Sequence, residues 1–138
     1  MNNERNDKLV GADSETLAKE AVLVLLEKLA LDIKMFNVKE HTSITDFYVN
    51  ATGKSLTHVA SLADDIVDHF DMCGGCANRV EGKKGNTWIL VDFGSIIVNV
   101  FDSEGRGFYN FDRLMPQESQ MSIDDLIAQV DSKFEINK

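Results

Sequence analysis

The sequence predicts a single α+β domain in which helices cover one face of a β-sheet. Its 138 residues are 43% hydrophobic, which suits one globular core and leaves little room for a second. The predicted order of elements is α, β, β, α, β, β, β. A strongly apolar hairpin late in this order offers a surface on which helices can pack. These three observations favour one domain with a shared core.

The first predicted elements are a helix and two strands. Asp13 or Ser14 can cap a helix whose apolar residues keep helical spacing to about Leu29. Two runs with the composition of strands follow, Ile33–Val38 and Phe47–Thr52. We therefore expect one amphipathic helix to pack on these strands.

A second amphipathic helix follows the strands. Ser55 is a suitable N-cap, and the apolar stripe continues until Cys73. Gly74 and Gly75 come next and suit the left-handed conformation that often ends a helix. A third strand is expected at Asn78–Glu81.

The segment Trp88–Phe101 is expected to form a hairpin with Gly94 and Ser95 at its turn. Since side chains alternate along a strand, this register gives one wholly apolar face: Ile89, Val91, Phe93, Ile96, Val98 and Val100. The other face carries Trp88, Leu90, Asp92, Ile97, Asn99 and Phe101. Such a mixture suggests that helices cover the first face and that the second meets something else. The alternative is a sheet buried on both faces.

The two ends of the chain are expected to lie outside the domain. Residues 1–13 are polar and predict a disordered tail. The domain proper is expected to span residues 14–116, with a loop after Phe101 and a helical turn that packs Phe108, Phe111 and Leu114. Residues 117–138 predict an acidic extension with a short amphipathic helix, and the sequence leaves open where this helix docks.

Charge and composition limit the function classes. The net charge of −9 would repel phosphate backbones, and no basic patch is evident in the sequence, so direct sequence-specific nucleic-acid binding is not expected. A basic protein is a better partner on electrostatic grounds. No apolar run approaches the roughly 20 residues needed to cross a bilayer, so no membrane role is expected. The expected location is cytoplasmic, in agreement with a low cysteine content.

Six motifs in order resemble the ribosomal silencing factor family, also called the Iojap-like family. The resemblance covers roughly Leu17 to Met115. The motifs are TSITDFYVNATG at Thr42–Gly53, SLTHVASLAD at Ser55–Asp64, EG at Glu81 and Gly82, WILVDFG at Trp88–Gly94, VNVF at Val98–Phe101 and RGFYNFDRL at Arg106–Leu114. No single motif is diagnostic, but six in register make chance similarity improbable.

The resemblance implies both a fold and a function. The fold would be an α+β domain with a mixed sheet, related to the nucleotidyltransferase fold but without its catalysis. The function would be to bind the large ribosomal subunit through its fourteenth protein, a basic protein at the intersubunit face, and to block joining of the small subunit. An assembly factor on the same subunit without blocking activity is the alternative. Homodimerisation is left open.

The resemblance also implies a partner-binding surface centred on Trp88, a residue type that often forms the hot spot of an interface. Matching of positions adds Asp92, Asn99, Phe101, Arg106 and Tyr109. Arg106 and Tyr109 could instead be internal, with their polar groups satisfied by backbone carbonyls. The sequence departs from the usual family pattern at four positions, Ser95, Asn99, Asp112 and Met115.

Enzymatic readings are less well supported. A nucleotidyltransferase needs paired carboxylates after its Gly-Ser turn to hold two metal ions, and only Asp102 follows Gly94 and Ser95. Cys73 and Cys76, with His69 one turn earlier, resemble half of a zinc or redox site but lack further ligands at workable spacing. We therefore expect no catalytic residues, no metal and no cofactor.

Overall fold

The computed structural model describes residues 6–82 and 84–136. Along the chain, its helices and strands are α1 (Ser14–Glu27), β1 (Leu31–Asn37), β2 (Phe47–Thr52), α2 (Leu56–Met72), β3 (Arg79–Gly82), β4 (Trp88–Asp92), β5 (Ile96–Phe101), α3 (Ser103–Tyr109), β6 (Gln120–Met121) and α4 (Asp124–Ile136). Within these residues the chain is a single α+β domain, as the sequence predicts.

The strands form one mixed sheet. Its order is β3-β4-β5-β2-β1-β6 within the described residues. β2 and β5 pair in parallel, and the other neighbours pair antiparallel. The parallel pair is joined through α2, β3 and β4, which provide the long connection that parallel strands require.

The predicted helix caps are confirmed. The Asp13 side chain accepts a hydrogen bond from the backbone N–H of Thr16 at 2.9 Å and starts α1. The Ser55 hydroxyl accepts from the backbone N–H of His58 at 3.0 Å and starts α2. Gly74 follows the end of α2 with a φ of 93°, a conformation that side chains with a Cβ rarely adopt.

The predicted hairpin register is also confirmed. Trp88 pairs with Phe101, and Val91 pairs with Val98. The apolar face packs with residues of α1 and α2 in the main core, which includes Val22, Leu25, Val59, Leu62, Ile66, Phe70, Val91, Val98 and Val100. Burial of apolar side chains such as these is the dominant favourable contribution to folding.

The second face of the sheet is not free of helices, contrary to the prediction that helices cover one face only. α3 and a 3-10 turn at Phe111–Leu114 lie against it, and the ring of Phe111 contacts the ring of Tyr48. Every residue of β5 is buried, so the alternative of a sheet covered on both faces holds for this central strand. On β4, residues of the second face are only partly buried.

The predicted loop after Phe101 is wrong, because residues Ser103–Tyr109 form the helix α3. Two glycines in this short segment reduce its helical propensity, which is why the sequence favours a loop. The Asp102 side chain caps the helix by accepting from the N–H of Gly105 at 2.7 Å. A side chain at Gly105 would collide with the carbonyl oxygen of Thr87, so this glycine permits close packing of α3 on the sheet.

The predicted disordered tail is wrong for residues 6–13. Leu9 is buried in the main core. Its N–H donates to the carbonyl of Cys73 at 2.9 Å, and the N–H of Asn6 donates to that of Met72 at 2.6 Å. The free carbonyls at the end of α2 therefore hold a segment whose sequence shows no periodicity. The remaining predicted tail, residues 1–5, lies outside the described residues.

The C-terminal extension docks on its own domain. β6 pairs with the edge strand β1, and α4 packs against α1. Leu126 and Val130 are buried, whereas Ile127 is partly exposed. The sequence also predicts Phe134 on the apolar stripe of this helix, but its side chain lies outside what the structure describes. In the described part of the chain, no helix has both the length and the apolar character needed to cross a membrane.

Candidate partner-binding surface

Trp88 lies at the centre of an aromatic cluster on the second face of the sheet. Its ring centroid is 5.2 Å from that of Phe101, 4.7 Å from Tyr109 and 5.8 Å from Phe111. The indole N–H donates to the side-chain oxygen of Asn99 at 2.9 Å. The residue remains partly exposed. The indole is thus held in a fixed orientation while part of it faces solvent.

A chain of hydrogen bonds extends from this indole beneath the surface. The amide of Asn99 donates to the oxygen of Asn50 at 3.0 Å, and the amide of Asn50 donates to Asp112 at 2.8 Å. Arg106 then donates to the other oxygen of Asp112 at 2.7 Å. We call Trp88, Asn99, Asn50, Asp112 and Arg106 the Trp88 network. It links β2, β4 and β5 to α3 and the 3-10 turn.

The buried amides of this network must keep their hydrogen-bond partners. Asn50 and Asn99 are both fully buried, and a buried amide without a partner is costly. Here each amide both donates and accepts a side-chain hydrogen bond. The network therefore fixes Trp88 relative to α3.

Two of the residues predicted to line the surface are buried instead. Asn99 and Phe101 have no exposed area, so in this conformation neither side chain is accessible to a partner, and their part in partner binding stays a prediction. Phe101 supports the indole of Trp88 from below, and Asn99 orients it. The reason is that α3 folds over the end of β5, where the sequence predicts a loop.

Arg106 is also largely internal, with 9% of its side chain exposed. This agrees with the internal alternative, although its partners are side chains rather than backbone carbonyls. Besides Asp112, it donates to the hydroxyl of Thr52 at 2.9 Å and lies 3.7 Å from a carboxylate oxygen of Asp32. The guanidinium thus stabilises the fold beneath the surface.

Asp92 and Tyr109 are the other predicted site residues that remain partly exposed. One carboxylate oxygen of Asp92 accepts from the N–H of Gly94 at 2.7 Å, and the other lies 3.4 Å from Arg79. Asp92 therefore stabilises the hairpin turn and carries its charge at the end of β4 opposite to Trp88.

Sequence reasoning missed two exposed apolar residues beside this cluster. Phe108 is 82% exposed and Leu114 is 72% exposed, although both were expected to pack internally. The ring of Phe108 contacts that of Tyr109 at a centroid distance of 5.0 Å. The spacing of Phe108 and Leu114 resembles that of buried residues, and only the paths of α3 and of the 3-10 turn show that they face solvent. Together with Trp88 and Tyr109, Phe108 forms what we call the aromatic surface, and Leu114 lies at the end of the 3-10 turn that begins at Phe111.

The departures from the usual family pattern fall partly within the Trp88 network. Asn99 and Asp112 are two of its members, and each makes two side-chain hydrogen bonds within it. Ser95 lies in the hairpin turn, where its carbonyl accepts from the N–H of Asp46 at 3.0 Å. Met115 follows the 3-10 turn. The local structure accommodates all four residues.

A second polar cluster lies on the opposite side of the molecule, between α1 and α2. His69 donates to a carboxylate oxygen of Glu20 at 2.6 Å, and Lys8 lies 2.8 Å from the same oxygen. The hydrogen bond from His69 is the main reason that the pKa of the Glu20 carboxyl falls to about 2. The sulfur of Cys73 is 3.7 Å from His69, and burial raises the pKa of this thiol. Sequence spacing did not place Glu20 in this group.

Comparison with known proteins identifies the family. Residues 11–138 match the family model described as "Ribosomal silencing factor during starvation". The chain belongs to the ribosomal silencing factor family. The resemblance of the six motifs is therefore confirmed, and the match also extends over the C-terminal extension.

Individual relatives agree with this assignment. The chain is 33% identical to a ribosomal silencing factor of Zymomonas mobilis over 102 aligned residues. The alignment covers 74% of this chain and 77% of that protein. A solved structure from Chromobacterium violaceum superposes with a TM-score of 0.72 at 26% identity, covering 75% and 86% of the two chains. A mouse protein named for mitochondrial assembly of the large ribosomal subunit is 29% identical over 112 residues, which span 79% of this chain and 48% of that protein.

These matches support a ribosome-associated role that is regulatory rather than enzymatic. They confirm the α+β fold with a mixed sheet. The relation to the nucleotidyltransferase fold stays a prediction.

Proposed function

We propose that this chain binds the large ribosomal subunit in the cytoplasm through the basic fourteenth protein of that subunit. Bound there, it blocks the small subunit from joining and so represses translation. The observation that carries this proposal is the match of residues 11–138 to the silencing factor family. The structure contributes a surface suited to the task.

The aromatic surface is the proposed contact. Trp88 is half-buried and held by Asn99 and three aromatic rings, so little conformational entropy is lost when a partner covers it. Large aromatic residues in a pre-organised setting are typical interface hot spots. The exposed ring of Phe108 adds apolar area that a partner could remove from water. Asn99, Phe101 and Arg106 support this surface from beneath.

Charge supports a basic partner. The net charge of −9 favours rapid encounter with a positively charged protein and makes the association rate dependent on salt. Asp92 lies on the same face of β4 as Trp88, four residues further along the strand, where an acidic side chain can guide the approach of such a partner.

Co-sedimentation tests the proposal. Purified chain should pellet with isolated large subunits but not with joined ribosomes, and it should reduce joining when added before the small subunit. Equal binding to joined ribosomes would contradict a blocking role, since the proposed site is covered there.

The alternative is an assembly factor that does not block joining. The mouse relative, named for assembly of the mitochondrial large subunit, favours this alternative. An assay of the joining of mature, purified subunits distinguishes the two functions. A blocking factor inhibits this reaction, whereas an assembly factor leaves it unchanged even when it is bound at saturation.

A further inference from the structure

Three side chains of different chemistry converge between α1 and α2, away from the aromatic surface. They are Glu20 on α1, His69 in the last turn of α2 and Cys73 at the C-cap of α2. One potential ligand atom from each lies within 4.8 Å of the others. Among residues 6–82 and 84–136, this is the cluster in which at least three potential metal ligands come this close together. We propose that Glu20, His69 and Cys73 form a binding site for Zn²⁺ or a similar divalent transition metal ion.

The donor set favours such an ion over Ca²⁺ or Mg²⁺. A thiolate sulfur and an imidazole nitrogen are ligands typical of zinc, and a carboxylate oxygen completes many three-ligand zinc sites. Calcium and magnesium instead prefer sets made of oxygen atoms. The chemistry of Cys73 and His69 is therefore selective for the softer metals.

The spacing is close to that required by a tetrahedral ion. Ligands at 2.0–2.3 Å from zinc lie roughly 3.3–3.7 Å apart. The sulfur of Cys73 is already 3.7 Å from the Nε2 of His69. Nε2 and the Glu20 oxygen are 2.6 Å apart, which is a hydrogen-bond distance, so metal binding must replace this bond with a slightly wider separation. About a third of the His69 side chain is exposed, which leaves room for that movement.

The surroundings can complete the coordination shell. The cluster borders a groove of about 620 Å³ between α1, α2 and α4, with Glu20 and His69 in its lining. A water molecule entering from this groove can serve as the fourth ligand. The site thus has three ligands from the chain and one open position.

A bound metal ion must displace the side chain of Lys8. Its ammonium lies 2.8 Å from the Glu20 oxygen and supplies positive charge where the ion would sit. Nearly half of the Lys8 side chain is exposed, so it can swing into solvent. On coordination the thiol proton of Cys73 is released to solvent, and the proton on Nε2 of His69 is also lost from that nitrogen, so that the neutral ring carries its proton on Nδ1.

Cys76 provides a matched control for this assignment. It is an exposed free cysteine three residues from Cys73 and is not part of the three-ligand cluster. If a Cys73-Cys76 pair were the metal site instead, both cysteines would be required. The two arrangements therefore differ in the effect of a single substitution.

The test is titration of the untagged, reduced full chain with Co²⁺, followed by competition with Zn²⁺. Wild type and Cys76→Ser should bind one equivalent and show the ultraviolet charge-transfer band of a cobalt-bound thiolate. Cys73→Ser should lose this band, and His69→Gln should weaken binding at least tenfold. Circular dichroism of the metal-free variants verifies that each is folded.

A thermal measurement gives a second readout. Zn²⁺ should raise the Tm of wild type and of Cys76→Ser by mass action, and should raise that of His69→Gln much less. Absence of stoichiometric binding by wild type would overturn the proposal. Loss of the band in Cys76→Ser would also overturn it, because the site would then be the cysteine pair. Neither result depends on ribosome binding.

Discussion

Replacement of Asn99 by alanine tests whether the Trp88 network stabilises the fold. The substitution removes two side-chain hydrogen bonds, one from the indole of Trp88 and one to Asn50. It leaves the buried oxygen of Asn50 without its donor, at a cost of about 1–3 kcal/mol, and deprives a partly buried indole N–H of its acceptor. We expect the free energy of unfolding to fall by about 2–4 kcal/mol, with a small cavity term included.

Urea denaturation of Asn99→Ala and wild type measures this change directly. Asn37→Ala is a suitable control, because it removes one exposed hydrogen bond to the backbone of Lys39 and should cost less than about 0.5 kcal/mol. The double variant with Asn50→Ala should be less unstable than the sum of the two single variants, since the partners are removed together. A loss below 0.5 kcal/mol for Asn99→Ala would refute the reasoning.

Two further predictions concern other parts of the molecule. Glu20 has a pKa lowered from 4.5 to about 2, so its charged form stabilises the fold above pH 4.5, and this contribution is lost as the pH falls through 2. Glu20→Gln should cost about 1 kcal/mol at pH 6, and the difference from wild type in urea denaturation should shrink towards pH 2. Truncation after Pro116 removes the buried side chains of Leu126 and Val130. Unfolding should stay cooperative, with a loss of about 2–4 kcal/mol measured by calorimetry, whereas a loss of cooperativity would show that the extension is indispensable.

The parts of the fold predicted from sequence are those in which local signals agree with tertiary packing. The hairpin register follows from the Gly94-Ser95 turn and from alternation along β4 and β5. The caps at Asp13 and Ser55 combine a suitable residue with an apolar stripe that begins just after it. At these places the short-range pattern is sufficient.

The errors occur where long-range contacts determine the structure. α3 contains two glycines and becomes helical because Asp102 caps it and because Gly105 fits against Thr87. Leu9 lies in a mainly polar segment, and its burial depends on carbonyls at the distant end of α2. Neither contact leaves a periodic signal in the sequence.

The candidate site shows the same division. The sequence predicts Trp88 on the second face of the hairpin, and this placement is confirmed. It does not reveal that Asn99 and Phe101 lie beneath the indole, because that depends on the path of α3 across β5. Glu20 could not be associated with His69 and Cys73 for a similar reason, since 49 residues separate it from His69.

Binding of Trp88→Ala to isolated large subunits tests the central claim most directly. If the aromatic surface contacts the subunit, this variant should bind with a loss of about 2 kcal/mol or more, which is about thirtyfold in Kd. Leu56→Ala, a substitution of another exposed apolar residue at the start of α2, should bind like wild type. Binding is measured below the Tm of each variant, so that both are folded. If folded Trp88→Ala binds as tightly as wild type, the aromatic surface is not the contact.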